Sequence, residues 1–337
     1  MIRIGLIARN ETARGLSIQV REFFTHMPVD RVLLVQMPAH DDTVADDWYP
    51  NATVVRSLPG HTLDEPTVRE WLSGLDVVFT AETPYDWRMP GWCKDMGVRL
   101  VIQGNPEFVR HRSPGFEQLQ HPDAWWWPTS WRLDQLPSGE VMPVPADWNP
   151  FPVTPSDVLR VVHVVGKRAF ADRNGTELLV QALRMVRSRV VVTVYGLDGQ
   201  LPTFRRQHNI ELRLVPNGVT DRWEMYQDQD VLLLPRRYGG LCLPAVEAAS
   251  KGLVVVMPNC SPNAELAAVL TRAQRARTIH LACGPVLGVD ADAAGVADAI
   301  DELAGSDLTD LRVKQRALLN TWDVWRPRYL DAMAALL

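Results

Sequence analysis

The chain has 337 residues, 46% of them apolar and 22% charged, with a formal net charge of −5; this is ordinary for a globular protein and long for one hydrophobic core, so two domains are expected. No apolar stretch approaches the roughly 18 residues that cross a bilayer, and MIRIGLIARN has neither the apolar length nor the small-residue site of a secretory leader, so a cytoplasmic protein is expected. Residues 1–150 hold 13 Lys/Arg against 20 Asp/Glu and residues 151–337 hold 22 against 20, which argues against a basic stripe for duplex DNA on the first half and puts the balance that favours anions on the second.

In the first half, IRIGLIA (2–8), RVLLVQM (31–37), DVVFT (76–80), VRLVIQG (98–104) and AWWWPT (124–129) read as strands. Near-continuous Val/Leu/Ile runs mark parallel strands buried on both faces. The loop after the first strand passes through Gly15 into the amphipathic SIQVREFF segment. GLS there is a weak phosphate-loop signal that matches neither GxGxxG nor GxxxxGK[ST], which argues against a P-loop NTPase and a standard dinucleotide site. The fourth strand delivers Gln103, Asn105 and Glu107 to a loop at its carboxyl end. Trp125, Trp126, Trp127 and Trp131 have two readings, a stacking surface for an acceptor and, favoured, core packing.

The stretch VMPVPADWNPFPVTPSD (141–157) contains five prolines and continues neither sheet nor helix. It separates a first domain, 1–148, from a second, 149–321. The second half repeats the alternation, with strands at LRVVHVVG (159–166), RVVVTVYG (189–196), IELRLV (210–215), DVLLLP (230–235) and GLVVVMP (252–258). Two doubly wound α/β domains with parallel sheets are expected. The segment GKRAFADRNGTELL (166–179) places Gly166, Lys167, Arg168 and Arg173 before a helix that follows Asn174-Gly175-Thr176. Those cations and a helix N-terminus suit phosphates, against the plainer reading of solvated surface charges.

The stretch RRYGGLCLPAVEA (236–248) joins the fourth strand to a helix with Pro244 in its first turn. Gly239 and Gly240 let backbone N–H groups approach a diphosphate closely. Glu247, placed in the first turn, suits sugar hydroxyls such as a ribose's better than it suits phosphate. The competing reading is a tight connection with a helix N-terminal charge. DQD (228–230) reads as the polar start of a strand, and no metal is implied. Cys93, Cys242, Cys260 and Cys283 form no CxxC pair, so buried free thiols are expected. The segment TWDVWRPRYLDAMAALL reads as a helix with Pro327 in its interior, where a kink is expected.

Taken in order, these segments resemble the GT-B glycosyltransferases, specifically the retaining, GT4-like group 1 type. PRRYGGLCLPAVEAASKGLVVV is similar to that family's strand, EGFGLPxxEA loop and following ACGxPVI strand. HVVGKRAFADRNGTELLVQAL is similar to its G-R…K-G segment, and VPADWNPF to its interdomain PNGVDxxxF linker. The resemblance implies two Rossmann-like domains facing an interdomain cleft, with a final helix, about 322–337, packing back on the first domain. It implies a UDP- or GDP-sugar donor on the second domain, an acceptor on the first, no metal, and retention of anomeric configuration. Lys167 and Arg173 would then neutralise the donor diphosphate. Gly240, Leu241 and Cys242 would offer N–H groups beside Tyr238 and Gly239, and Glu247 would bind the ribose. Asn217 and Gly218 in VPNGV would lie near the base, Gly166 would turn the basic loop, and Gly15 would let the first domain approach the diphosphate. Glu107 would be the acceptor-side acid or base, with His111 the weaker candidate and a plain surface glutamate the competing reading. The family's first loop glutamate is replaced by Gly239. A nucleotide-sugar-binding pseudoenzyme and a GT-B-fold epimerase are the alternatives, and the acceptor remains open: glycan, protein, lipid head group or modified DNA base.

Overall fold

The apolar runs of the first half pair as an all-parallel, seven-stranded sheet. The computed structural model describes residues 2–10, 15–37, 47–58, 62–107, 109, 121–166, 172–196, 201–205, 207–219, 221–281 and 284–337. In chain order come β1 (Ile4–Arg9), α1 (Gly15–His26), β2 (Val29–Gln36), β3 (Thr53–Arg56), α2 (Glu65–Leu72), β4 (Val77–Ala81), α3 (Met89–Asp95), β5 (Arg99–Gln103), β6 (Ala124–Trp127) and β7 (Glu140–Val141). The strand order is 3-2-1-4-5-6-7. α2 starts where Asp64 accepts from the Thr67 N–H at 3.1 Å, an ordinary side-chain cap.

The second half continues with β8 (Leu159–Val164), α4 (Thr176–Leu183), β9 (Val190–Tyr195), β10 (Ile210–Val215), β11 (Val231–Leu233), α5 (Leu243–Ser250), β12 (Val254–Pro258), β13 (Val269–Thr271), β14 (Ala273–Leu281), β15 (Gly284–Ala291), α6 (Ala293–Ala304), α7 (Thr309–Leu318) and α8 (Trp322–Ala334). Here a six-stranded parallel sheet has the order 10-9-8-11-12-13, and β14 and β15 form a separate antiparallel hairpin. Contacts divide the chain into one unit of Met1–Val144 with Trp322–Leu337 and a second of Pro145–Thr321. α8 runs through Pro327 within its span.

Each sheet is covered on both faces. In the first unit, Val68, Trp71 and Leu72 of α2 and Trp92 of α3 pack on one side. Val20 and Phe23 of α1, with Trp322, Tyr329 and Met333 of α8, cover the other. Trp125 and Trp127 stack with centroids 5.4 Å apart and planes 2° apart, while Trp126 meets Tyr329 edge-on at 5.0 Å. With Trp131, all are buried, so these tryptophans are core side chains and not a stacking surface. In the second unit, Leu179 and Leu183 of α4 and Val296 and Ile300 of α6 cover one face, and Ala245, Ala248 and Ala249 of α5 the other. Of the cysteines, Cys93 and Cys242 are buried and free, and Cys260 is half-buried, more open than the sequence suggests.

Two buried polar side chains fasten these layers. Gln103, the last residue of β5, accepts from Gln19 Nε2 at 2.6 Å and donates to the Met142 carbonyl at 2.7 Å and the Tyr329 hydroxyl at 2.9 Å. The Tyr329 hydroxyl in turn donates to the Pro143 carbonyl at 2.9 Å. Gln103 thus ties α1, the end of β7 and α8 together. His163 of β8 is fully buried, with Nδ1 2.8 Å from the Leu233 carbonyl and Nε2 2.9 Å from the Thr176 hydroxyl. A carbonyl only accepts, so Nδ1 carries the proton and Nε2 accepts from Thr176. Burial lowers the His163 pKa from 6.5 to about 4, so the ring is neutral where it locks β8, β11 and the start of α4 together.

Two outcomes follow. Gln103→Leu removes the bonds to the Gln19 amide and the Met142 carbonyl in the core, and should cost about 3 kcal/mol, read by urea unfolding; an unchanged midpoint would remove Gln103 as a clasp. His163 has a folded pKa below its unfolded one, so its contribution is fully present above pH 6.5 and is lost as pH falls from 6.5 to about 4. Over that window stability should drop by about 1.4 kcal/mol per pH unit for this one proton, and His163→Gln should flatten the slope in acid titrations of unfolding.

Candidate functional site

Open parallel sheets bind ligands beyond the carboxyl ends of their strands, at the point where strand order reverses. In the second unit that point lies between β8 and β11. The loops leaving it are the basic segment after Val164 and the glycine-rich segment after Leu233, the two stretches the sequence singles out. The first sheet reverses between β1 and β4. The cavity of about 360 Å³ lined by Val180, Leu183, Phe204 and Leu212 borders the starting end of β10 and the last turn of α4, away from these loops.

The two loops of the second unit are joined through their backbones. The Arg237 N–H donates to the Arg173 carbonyl at 2.9 Å. Gly175 (φ 72°) approaches so closely that a Cβ there would lie 2.1 Å from the Pro235 carbonyl oxygen, so only glycine fits. Arg173 is half-buried; Gly166 adopts φ 69°. Lys167 and Arg168 lie outside the described residues. Asp172 accepts from the Thr176 N–H at 2.8 Å and the Glu177 N–H at 2.9 Å. The first N–H groups of α4 are therefore already taken by a carboxylate, contrary to the expectation that this helix start faces phosphate. Asp172 is not the N-cap residue, which is Gly175 and offers no side chain; it reaches these N–H groups from three residues further back.

The glycine-rich loop has a buried cation at its base. Arg236 is 1% exposed, and its Nη2 donates to the Leu241 carbonyl at 2.6 Å, spanning the loop. Tyr238, Gly239 and Gly240 are buried, and Leu241 is half-buried. Gly239 has φ 123°, a conformation that side-chain-bearing residues rarely adopt. α5 then starts after Cys242, which offers no side-chain cap, leaving the positive end of this helix dipole uncancelled by an acid, unlike that of α4.

Glu247 is a correction to the expected position. The helix begins at Leu243, so Glu247 sits in its second turn, 7% exposed. The Tyr226 hydroxyl donates to Glu247 Oε2 at 2.7 Å, and Arg222 Nε lies 3.5 Å from Oε1. Burial, then the adjacent carboxylate, holds the Tyr226 phenol well above its usual pKa, so it remains a donor. A carboxylate only accepts, and an ionised one has about four lone-pair sites. Arg222 and Lys251 lie over the Trp223 ring at 4.4 and 4.2 Å. Nothing in the spacing of DRWEMYQ points to Tyr226 or Arg222 as neighbours of Glu247. Asn217 is exposed and Gly218 half-buried with φ 68°, just past β10. Asp230 of the DQD fragment pairs with Arg160 at 2.9 Å and Arg312 at 3.2 Å at the starting ends of β8 and β11, a structural ion cluster at the opposite edge.

In the first unit, Gly15 is the exposed first residue of α1. Glu107 is 3% exposed in the turn after β5, so it is no plain surface glutamate; His111 lies outside the described residues. Glu82, which the sequence reading passed over, directly follows β4 at the switch point. It adopts φ 63° and accepts from Asn105 Nδ2 at 2.9 Å. A side-chain-bearing residue in that strained region at a strand's carboxyl end is a functional marker. Among the described residues, no group of three or more His, Cys, Asp or Glu side chains is placed to hold a metal ion, and no helix is long and apolar enough to cross a membrane.

The comparisons with known proteins agree with this layout. Residues 160–305 match the family described as glycosyl transferases group 1. No curated protein sequence matches the chain at a significant level. Among solved structures, a glycosyltransferase from Rickettsia africae superposes with a TM-score of 0.68 at 10% identity, covering 99% of this chain and 98% of that one. Anabaena HepE in complex with UDP and glucose gives 0.67 at 11% identity over 99% and 100% of the two chains. The sucrose-phosphate synthase of Thermosynechococcus elongatus gives 0.64 at 15% identity over 100% and 99%. The chain has the GT-B fold of two Rossmann-like parallel sheets, and the stretch that matches the group 1 glycosyltransferase family model lies within its second unit.

Proposed function

We propose that the protein is a glycosyltransferase that moves a sugar from a nucleoside diphosphate sugar to an acceptor still to be identified, with retention and without a metal. The observation that carries this reading is the backbone union of the basic and glycine-rich loops at the switch point of the group 1 domain. UDP is the favoured nucleotide, because the similarly folded HepE was solved with UDP and with UDP-glucose.

Cleaving the anomeric C–O bond leaves positive charge on the sugar and negative charge on the departing diphosphate. Lys167 and Arg173 supply cations, and Gly240, Leu241 and Cys242 supply N–H groups beside the positive end of α5. The buried Arg236 charge adds to the same field. Oriented donors of this kind stabilise developing charge with no reorganisation, each well-aimed one contributing roughly 3 kcal/mol. Glu247, fixed by Tyr226, takes the ribose hydroxyls, and the Asn217-Gly218 turn lies towards the base. Tyr238 packs under the loop, and Gly166 turns the basic segment. On the first unit, Gly15 allows close approach of backbone to phosphate, and Glu107 or Glu82 handles the acceptor hydroxyl's proton.

One observation favours a second reading, a binding protein without turnover. Gly239 stands where the family carries an acid, and its φ of 123° means that a glutamate could not be put back without strain. Incubation with labelled UDP-sugars separates the two: slow donor hydrolysis marks the transferase, and tight binding with no product marks the binding protein.

Melting curves with UDP, GDP and UDP-glucose should rise for one nucleotide, since a ligand at 100 times its Kd adds about 2.7 kcal/mol to the folded state; no rise with any sugar nucleotide would end the donor assignment. Arg173→Ala should weaken that binding on the order of tenfold. Tyr226→Phe should weaken it less while leaving discrimination between phosphates intact, measured by calorimetric titration.

A further inference from the structure

The hairpin of β14 and β15 has no counterpart in the strand pattern read from sequence. β13 runs parallel to β12 and ends at Thr271, and β14 begins at Ala273. The hairpin therefore rises from the carboxyl edge of the sheet, the edge that carries the glycine-rich loop. Two-stranded hairpins are at best marginally stable alone, so its anchorage matters. Register pairs Arg275 with Asp290, Arg277 with Gly288 and Ile279 with Val286, which places all six on one face.

That hairpin grips the glycine-rich loop at Arg237. The Val289 N–H donates to the Arg237 carbonyl at 2.9 Å, while the Arg237 N–H is engaged by Arg173. Arg237 Nε donates to Asp290 Oδ1 at 2.7 Å, with the arginine side chain 11% exposed. Arg277 lies 3.9 Å from the other oxygen of Asp290. A Cβ on Gly288 would lie 2.4 Å from Ile279 Cδ1 and 3.3 Å from the Arg237 oxygen, so backbone meets backbone there. Arg237 is two residues before Gly239. Fixing both its backbone groups and its side chain fixes the direction in which the next N–H groups point.

The geometry points to Asp290 as a positioning residue for the diphosphate site: through Arg237 it holds the glycine-rich loop, and the hairpin is the loop's support. This rests on the donor assignment above for its ligand, but the clasp is tested without one. In Asp290→Asn, hydrogen exchange of the peptide covering 236–242 should speed up while β8, β11 and β12 exchange as in the wild type, and Asp290→Glu should restore slow exchange. Unchanged exchange over 236–242 overturns the proposal, as does a rise spread equally over the whole sheet, which would mean lost global stability. UDP binding by Asp290→Asn should fall roughly tenfold, as for a lost charge-assisted hydrogen bond. Arg237→Gln should fall similarly, and the double variant no further than either single one; additive losses overturn the coupling. Arg277→Ala should stay within about twofold, given its longer and exposed contact. Failure of the wild-type chain to bind any sugar nucleotide would count against the donor assignment, and the exchange result would still decide the clasp.

Discussion

Everything the second unit offers a ligand depends on two loops being held against each other at the reversal of strand order. The bond from the Arg237 amide to the Arg173 carbonyl, and the contact of Gly175 with Pro235, bring a basic segment and a glycine-rich segment, separated by some sixty residues of chain, to one edge of the sheet. His163 sets the same geometry from beneath. Its neutral ring links β8 to β11 and to the first residue of α4, so core hydrogen bonds add to the contacts the loops make with each other. A site held in this way can keep its donors aimed before a ligand arrives, which is what electrostatic stabilisation of a leaving group requires.

Charged side chains are held differently at the two edges of that sheet. At the starting edge, Asp230 is shared between Arg160 and Arg312, at 2.9 and 3.2 Å. At the carboxyl edge Arg236 donates from Nη2 to the Leu241 carbonyl, and Arg237 pairs with Asp290. The two helices that start at the carboxyl edge differ in how they begin. α4 is neutralised at its start by Asp172, whereas α5 begins without an acid. One helix dipole is therefore spent internally and the other is aimed at the site.

Much of this was legible in the residues. Uninterrupted Val/Leu/Ile runs reveal buried parallel strands because both faces must be covered, and the proline-rich stretch near 150 reveals a change of unit because it can join neither sheet nor helix. The adjacency of Gly239 and Gly240 to a strand end signals close backbone approach. What escaped the sequence were contacts made at long separation. Tyr226 finds Glu247 across a strand and a loop, Asp290 finds Arg237 across fifty residues, and no local period encodes either. Asp172 escaped as well, because it bonds to the first N–H groups of α4 from outside the cap position, where periodicity gives no sign of it. Glu247 shifted by a turn because the helix starts at Leu243, and helix ends depend on capping more than on periodicity.

The clasp that Gln103 makes with Tyr329 has a bearing on how the protein is made. The first unit needs Trp322, Tyr329 and Met333 to cover Phe23, Phe79 and Trp126, and those residues follow the whole of the second unit along the chain. The half synthesised first is thus the half completed last: its sheet waits with an aromatic face bare while the second unit, whose residues are contiguous in sequence, can close as it emerges. During that interval the nascent chain presents sticky surface of the kind that chaperones retain, and loss of residues 322–334 would damage the first unit more than the second.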